Sequence, residues 1–162
     1  MKRLLRLWLA TLACLLQAHA LAANYEVNLT RKGSDTYKVD GKDIIIQTRF
    51  CFVYAYSEAA ILKTAPYGGE IIFFDSREKC DVKAVLAAAT PKPGRYVVNV
   101  RRDEDDWYEV SGGDSYIKTS ACLSIAIGED AYLTISSPGF GRLRFEDGET
   151  CMVEGVYAKV RR

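Results

Sequence analysis

One histidine, four prolines and two methionines are all that this 162-residue chain holds of those types, and its charge is nearly balanced, with 22 Lys and Arg against 21 Asp and Glu. Each scarcity excludes something. Balanced charge without a polybasic run removes the electrostatic footprint of a nucleic-acid binder. Walker, Gly-x-Gly-x-x-Gly and Gly-x-Ser-x-Gly motifs are absent, which leaves no phosphate cradle and no nucleophile elbow. No apolar run approaches the roughly 20 residues that cross a bilayer as a helix. What the chain does have is 49% apolar residues, ten tyrosines and five cysteines, a globular rather than disordered composition.

The first residues read as an export signal. Lys2, Arg3 and Arg6 precede an apolar run from Leu7 to Leu16, and Ala20-Leu21-Ala22 supplies the small-x-small pattern of a cleavage site. Residues 1–22 are therefore expected to be removed near Ala22, giving a periplasmic or secreted protein that is not transmembrane. A lipoprotein signal at Cys14 is the disfavoured alternative, because Thr11 stands where such signals carry leucine. The segment takes three basic residues with it, leaving 19 against 21 acidic ones, and it also takes His19 and Cys14. A mature chain without histidine builds neither a Ser-His-Asp nor a Cys-His site, and no histidine-bound zinc. Four cysteines in an exported chain read as two disulfides. Pairing removes thiolate chemistry and an all-cysteine zinc site as well, so no cofactor or metal is expected.

The remaining chain reads as written twice. Cys51 and Cys80 are separated by 29 positions, as are Cys122 and Cys151, and a gapless shift of 71 superimposes the two stretches. Tyr25, Val27, Asn28, Arg31, Asp35 and Tyr37 fall on Tyr96, Val98, Asn99, Arg102, Asp106 and Tyr108, and Phe74 falls on Phe145. In all about 23 of some 65 positions agree. The expected organisation is a tandem duplication, 24–90 and 95–162, joined by the turn-forming linker 90–94. Local folding of each copy favours Cys51–Cys80 and Cys122–Cys151. Each bridge would close a loop worth on the order of 3–4 kcal/mol in the chain-entropy treatment.

The pattern within each copy is that of strands. Tyr25 to Leu29 alternates, and Asp40-Gly41 signals a two-residue hairpin between Tyr37-Lys38-Val39 and Ile44-Ile45-Ile46. Glu58–Thr64 and the alanine-rich 82–89 are ambiguous alone, but their β-branched and aromatic counterparts at 129–135 and 153–160 argue for strand. A helical turn at 85–89 stays open. The fold class is all-β, with five or six strands per copy as a small barrel or sandwich. Phe50, Phe52, Tyr54 and Tyr56 alternate with Cys51, Val53 and Ala55, and both faces are apolar. A strand buried on both sides is the expectation, with the aromatic row in the core or between copies. A ligand platform is the alternative.

Candidate site residues are few. Asp103, Glu104, Asp105 and Asp106 form the densest acidic cluster, beside Trp107, the sole tryptophan of the mature chain. They read as a solvated hairpin tip or a recognition patch with an exposed anchor. The spacing lacks the glycine and distal glutamate of a calcium loop. Arg142 and Arg144 share one strand face and offer a positive site for an anion or glycan carboxylate. Glu58 with Glu129, and Asp43 with Asp114, are repeat-related carboxylates that would serve an acid/base hydrolase, although positions kept in both copies first report what the fold needs. No family is identified. The expected function is a non-enzymatic, exported binding protein for an unknown protein partner of inhibitor or immunity type. A peptidoglycan or other envelope-glycan binder is the alternative and a carboxylate hydrolase the third. The oligomeric state is open.

Overall fold

The computed structural model describes residues 23–65, 68–137 and 139–160. The export segment, its cleavage near Ala22 and the Cys14 alternative lie outside them. Twelve strands carry the described fold, which contains no helix. They are β1 (Ala23–Arg31), β2 (Thr36–Val39), β3 (Ile44–Arg49), β4 (Glu58–Ala65), β5 (Gly68–Phe73), β6 (Lys79–Ala89), β7 (Gly94–Arg102), β8 (Trp107–Val110), β9 (Ser115–Ser120), β10 (Ile127–Ser137), β11 (Phe140–Phe145) and β12 (Thr150–Lys159). Both ambiguous segments, now β4 and β6, are strands, and 85–89 forms no helical turn. Alternation decides this, because every second residue of β6 from Cys80 to Leu86 is buried.

Strands β7, β8, β9, β12, β11 and β10 pair in that order and close through β10–β7, making a six-strand barrel. The other six carry the corresponding pairings, β1–β2, β2–β3, β3–β6, β6–β5, β5–β4 and β4–β1. Leu29, Tyr37, Ile46, Leu62, Ile71 and Phe73 fill the interior of the first set, and Val100, Tyr108, Ile117, Leu133, Leu143 and Phe145 that of the second. The disulfides Cys51–Cys80 and Cys122–Cys151 close within their own sets, as local folding requires. The sets join where β12 pairs with β6, Val156 opposite Ala89. A third cluster covers this seam: Ile45, Ala84 and Leu86 from one side, Trp107 and Tyr116 from the other, with Tyr157 against them.

Two expectations about local structure are corrected. The hairpin turn after Val39 spans 40–43, four residues rather than two. Gly41 takes a left-handed φ of 70° there, and the Lys42 N–H donates to the Val39 carbonyl. The gapless shift of 71 also breaks at β5. Phe73, not Phe74, is the buried ring against Tyr37, as Phe145 is against Tyr108. Leu62 pairs with Ile71 where Leu133 pairs with Leu143, an offset of 72 on β5 and β11. A one-residue slip turns a strand inside out, so the core selects the register and leaves Phe74 half exposed. The second set absorbs its extra residue at a bulge between Ile135 and Ser137.

Candidate binding surface

The largest departure from expectation is the segment between β3 and β4. It is extended but lies in no ladder. Phe50 and Ser57, both at left-handed φ near 50°, bracket it, as Ala121 (50°) and Gly128 (86°) bracket its counterpart. Left-handed residues break a strand at these points and lift the intervening chain out of the sheet. Cys51, Val53 and Ala55 point inward and are buried. Phe50, Phe52, Tyr54 and Tyr56 point outward and are between 70% and 90% exposed. The row is therefore neither core nor seam. In the second set Cys122, Ser124 and Ala126 face inward, while Leu123, Ile125 and Ile127 are 76% to 83% exposed.

Buried polar groups fasten both segments. The Tyr37 hydroxyl donates to the Val53 carbonyl at 2.8 Å, and the Tyr108 hydroxyl to that of Ser124 at 2.7 Å. Burial pushes the Tyr37 phenol up to about 12 and raises Tyr108 as well. Asp35 Oδ1 accepts the Cys51 N–H at 2.7 Å, and Asp106 Oδ1 accepts that of Cys122 at 3.1 Å. The N–H groups of Arg31 and Arg102 donate to the Ala55 and Ala126 carbonyls. A disulfide pins the start of each segment. Little backbone entropy is left to lose when something docks on such a scaffold.

The acidic cluster does different work from that expected. Asp103 pairs with Lys83 of β6, and Glu104 lies 3.6 Å from the same ammonium. Burial raises the Glu104 carboxyl against the opposing pull of Lys83. Asp105 Oδ2 accepts the Ser34 N–H at 3.4 Å, and Asp106 Oδ2 stands 3.7 Å from Lys118. Three of the four thus tie the second set to the first, and Asp106 ties to β9 of its own set. Trp107 is no exposed anchor. It is 3% exposed, edge-on to Tyr157 at 5.0 Å and beneath the Lys118 ammonium at 5.6 Å. An indole beside the seam removes more apolar surface from water inside than out, which explains the correction.

Arg142 and Arg144 are exposed on one face of β11, as the alternation implied. Glu58 Oε1 accepts the N–H groups of Asp75 and Ser76 and so holds the β5–β6 turn. Asp43 lies 3.6 Å from Lys38, and the carbonyls of Asp43 and Asp114 accept the N–H groups of Ala88 and Lys159. Cys122, Glu149 and Cys151 converge with metal-like spacing, but the two sulfurs are bonded to each other and Glu149 Oε1 accepts the Leu123 N–H at 2.8 Å.

The exposed row borders a groove of about 510 Å³ lined by Arg31, Lys32, Ser34, Tyr54 and Tyr56. The Arg31 guanidinium donates to the Gly33 and Ser34 carbonyls and lies 4.6 Å from the Tyr54 ring centroid, over its face. Arg31 and Lys32 were not singled out from sequence. The signal was the contrast between the two stretches at a shift of 71, since Arg31 matches Arg102 while Lys32, Tyr54 and Tyr56 meet Asp103, Ile125 and Ile127. Comparison of the chain with protein-family models, curated proteins and solved structures found no match.

Proposed function

We propose that this is an exported, non-enzymatic binding protein, a tandem duplication of one small β unit (24–90 and 95–162), that recognises a protein partner of inhibitor or immunity type. One observation carries the reading: each set of strands holds an apolar row outward on a rigid, disulfide-pinned segment. Seven large apolar side chains in two aligned rows far exceed the scattered surface hydrophobes of an ordinary monomer. Aromatic side chains on a pre-ordered backbone are the usual anchors of protein interfaces. Two disulfides fit an exported protein, and no helix among the described residues is long and apolar enough to cross a membrane.

Photo-crosslinking in the producing cell tests the reading, with a diazirine side chain placed at Ile125, at Tyr54 or at Arg142 as control. A discrete foreign protein crosslinked from at least one row, and lost from Ile125 when Leu123 and Ile127 are changed to serine, is expected. Crosslinks equal at Arg142, or none from either row, would overturn it. The groove favours a second reading, an envelope glycan, because Arg31 fixes one face of Tyr54 and leaves an 89% exposed ring for stacking. Sedimentation with purified peptidoglycan, abolished by Tyr54→Ala, would support it, and recovery entirely in the supernatant would remove it.

A further inference from the structure

The two segments differ in their backbones as well as in their rows. In an extended chain, successive residues turn their N–H and C=O groups to opposite edges. On the first segment the inner edge is used: the Cys51 N–H, the Val53 carbonyl and the Ala55 carbonyl all bond to the barrel. The opposite edge belongs to Phe52 and Tyr54. Among the hydrogen bonds between described residues none uses a backbone group of either. On the second segment one group of that edge is taken, because the Leu123 N–H donates to Glu149. Glu78 holds the matching place in the first set, and its hydrogen bonds go to Ser76 and Phe73 instead. The first segment therefore presents an open strand edge under an aromatic row, and the second presents a capped one.

We propose that a second copy of this chain covers the open edge, by antiparallel pairing of 51–55 with its own counterpart about a two-fold axis at Val53. Such pairing puts Phe52 opposite Tyr54 of the other copy twice over, each pair exchanging two backbone hydrogen bonds. The outward pairs of the ladder are aromatic, Phe52 against Tyr54 at both positions, with Phe50, at its left-handed φ, and Tyr56 flanking them. Outward side chains at a spacing of about 6.6 Å give a row some 20 Å long. Complete burial of the four aromatic side chains of each copy would remove on the order of 1,200 Å², the lower end for a specific complex. Because Glu149 takes the Leu123 N–H that pairing of the second edge would need, the association closes as a two-fold dimer and does not propagate into a fibre. The second row, Leu123, Ile125 and Ile127, then remains for the foreign partner and is displayed twice.

Sedimentation velocity of the full chain with both disulfides intact tests this. At about 50 µM the protein is expected to sediment as a dimer. Phe52→Lys or Tyr54→Lys should weaken association about tenfold or more, while Ile125→Lys leaves it unchanged. Both lysines sit at exposed positions and spare the core. Hydrogen exchange gives an independent readout, with the Phe52 and Tyr54 amides protected in proportion to dimer. A monomer at every concentration would overturn the inference, as would a dimer broken by Ile125→Lys but not by Phe52→Lys, or one whose Phe52 and Tyr54 amides exchange at a constant rate. A monomer that still crosslinks a foreign protein at Tyr54 refutes the dimer and leaves the binding reading standing. A dimer that crosslinks nothing foreign does the reverse.

Discussion

The rim loops at 31–35 and 102–106 occupy the same place in the two sets of strands and have been put to different uses. Arg31 and Arg102 both donate their backbone N–H to the segment beside them, and Asp35 and Asp106 both receive a cysteine N–H. Between those fixed points the first loop, Lys32-Gly33-Ser34, opens on a groove. The second, Asp103-Glu104-Asp105, reaches across to Lys83 and Ser34. What recurs is the fastening of the loop, and what varies is the surface it faces. Charge and aromatic character therefore report on a loop's neighbour, while its arginine and aspartate report on the fold.

The largest effect should come from removing that specialisation at the seam. Trp107 stands where the first set has Thr36, so Trp107→Thr gives the second set its counterpart's residue. A buried indole is lost from against Tyr157, Tyr116 and Leu86, and a loss of about 3–5 kcal/mol in urea denaturation is expected. Because this is the only tryptophan beyond residue 22, the transition must be followed by circular dichroism. If the loss stays under about 1 kcal/mol, the seam is not held by this side chain and the sets are energetically independent.

A smaller effect should come from the fastening that the sets share. Tyr37→Phe leaves the buried Val53 carbonyl without a donor, at about 1–3 kcal/mol. After Tyr108→Phe the Ser124 carbonyl still accepts from Arg102 Nη1 at 3.1 Å, so the loss should be smaller, about 1 kcal/mol. A measurable loss at both would confirm that the tyrosine fastening is common property; no loss at Tyr37 would break the comparison. Alkali probes the same groups. The Tyr37 phenol in the folded protein is raised from its ordinary value of 10.0 to about 12. The stability that follows from keeping it neutral is thus full below about pH 10 and falls as the pH climbs toward about 12. Tyr116, also pushed up to about 12 by burial and by the Glu109 carboxylate beside it, adds to the same loss. Denaturation midpoints measured from about pH 8 to about pH 11 should decline at the upper end. Tyr37→Phe should flatten part of that decline.

The architecture was legible where the two similar stretches could be read against each other. Cysteine spacing gave the disulfides, and the β-branched counterparts of 58–64 and 82–89 resolved two helix-or-strand ambiguities. The aromatic row was misplaced because alternation says only that Phe50, Phe52, Tyr54 and Tyr56 share a face, not which face meets water. That depends on left-handed turns at Phe50 and Ser57, which neither residue type announces. Trp107 was misplaced for the converse reason. The acidic neighbours that suggested solvent are paired across the seam with Lys83 and Ser34, far away in sequence. The slip at Phe73 and Phe74 shows the limit of identity itself, since two phenylalanines aligned by sequence occupy opposite faces.

The smallest effect concerns the edge. Glu149 and Glu78 are aligned glutamates, but only Glu149 caps its neighbouring segment, at the Leu123 N–H. Glu149→Ala should cost about 1–2 kcal/mol, as for a charged group accepting a backbone N–H. Glu78→Ala, whose carboxylate makes no hydrogen bond among the described residues, should fall within about 0.5 kcal/mol of the parent. The stability difference is modest, but the assembly it implies is not. Uncapping Leu123 gives the second segment the same open edge as the first, so each molecule would carry two pairing edges instead of one. A closed dimer would then extend into larger oligomers, visible by light scattering as a rise in mass with concentration. If Glu149→Ala loses stability and yet stays dimeric, the open backbone edge is not what brings two copies together, and the aromatic row alone would have to account for the pairing.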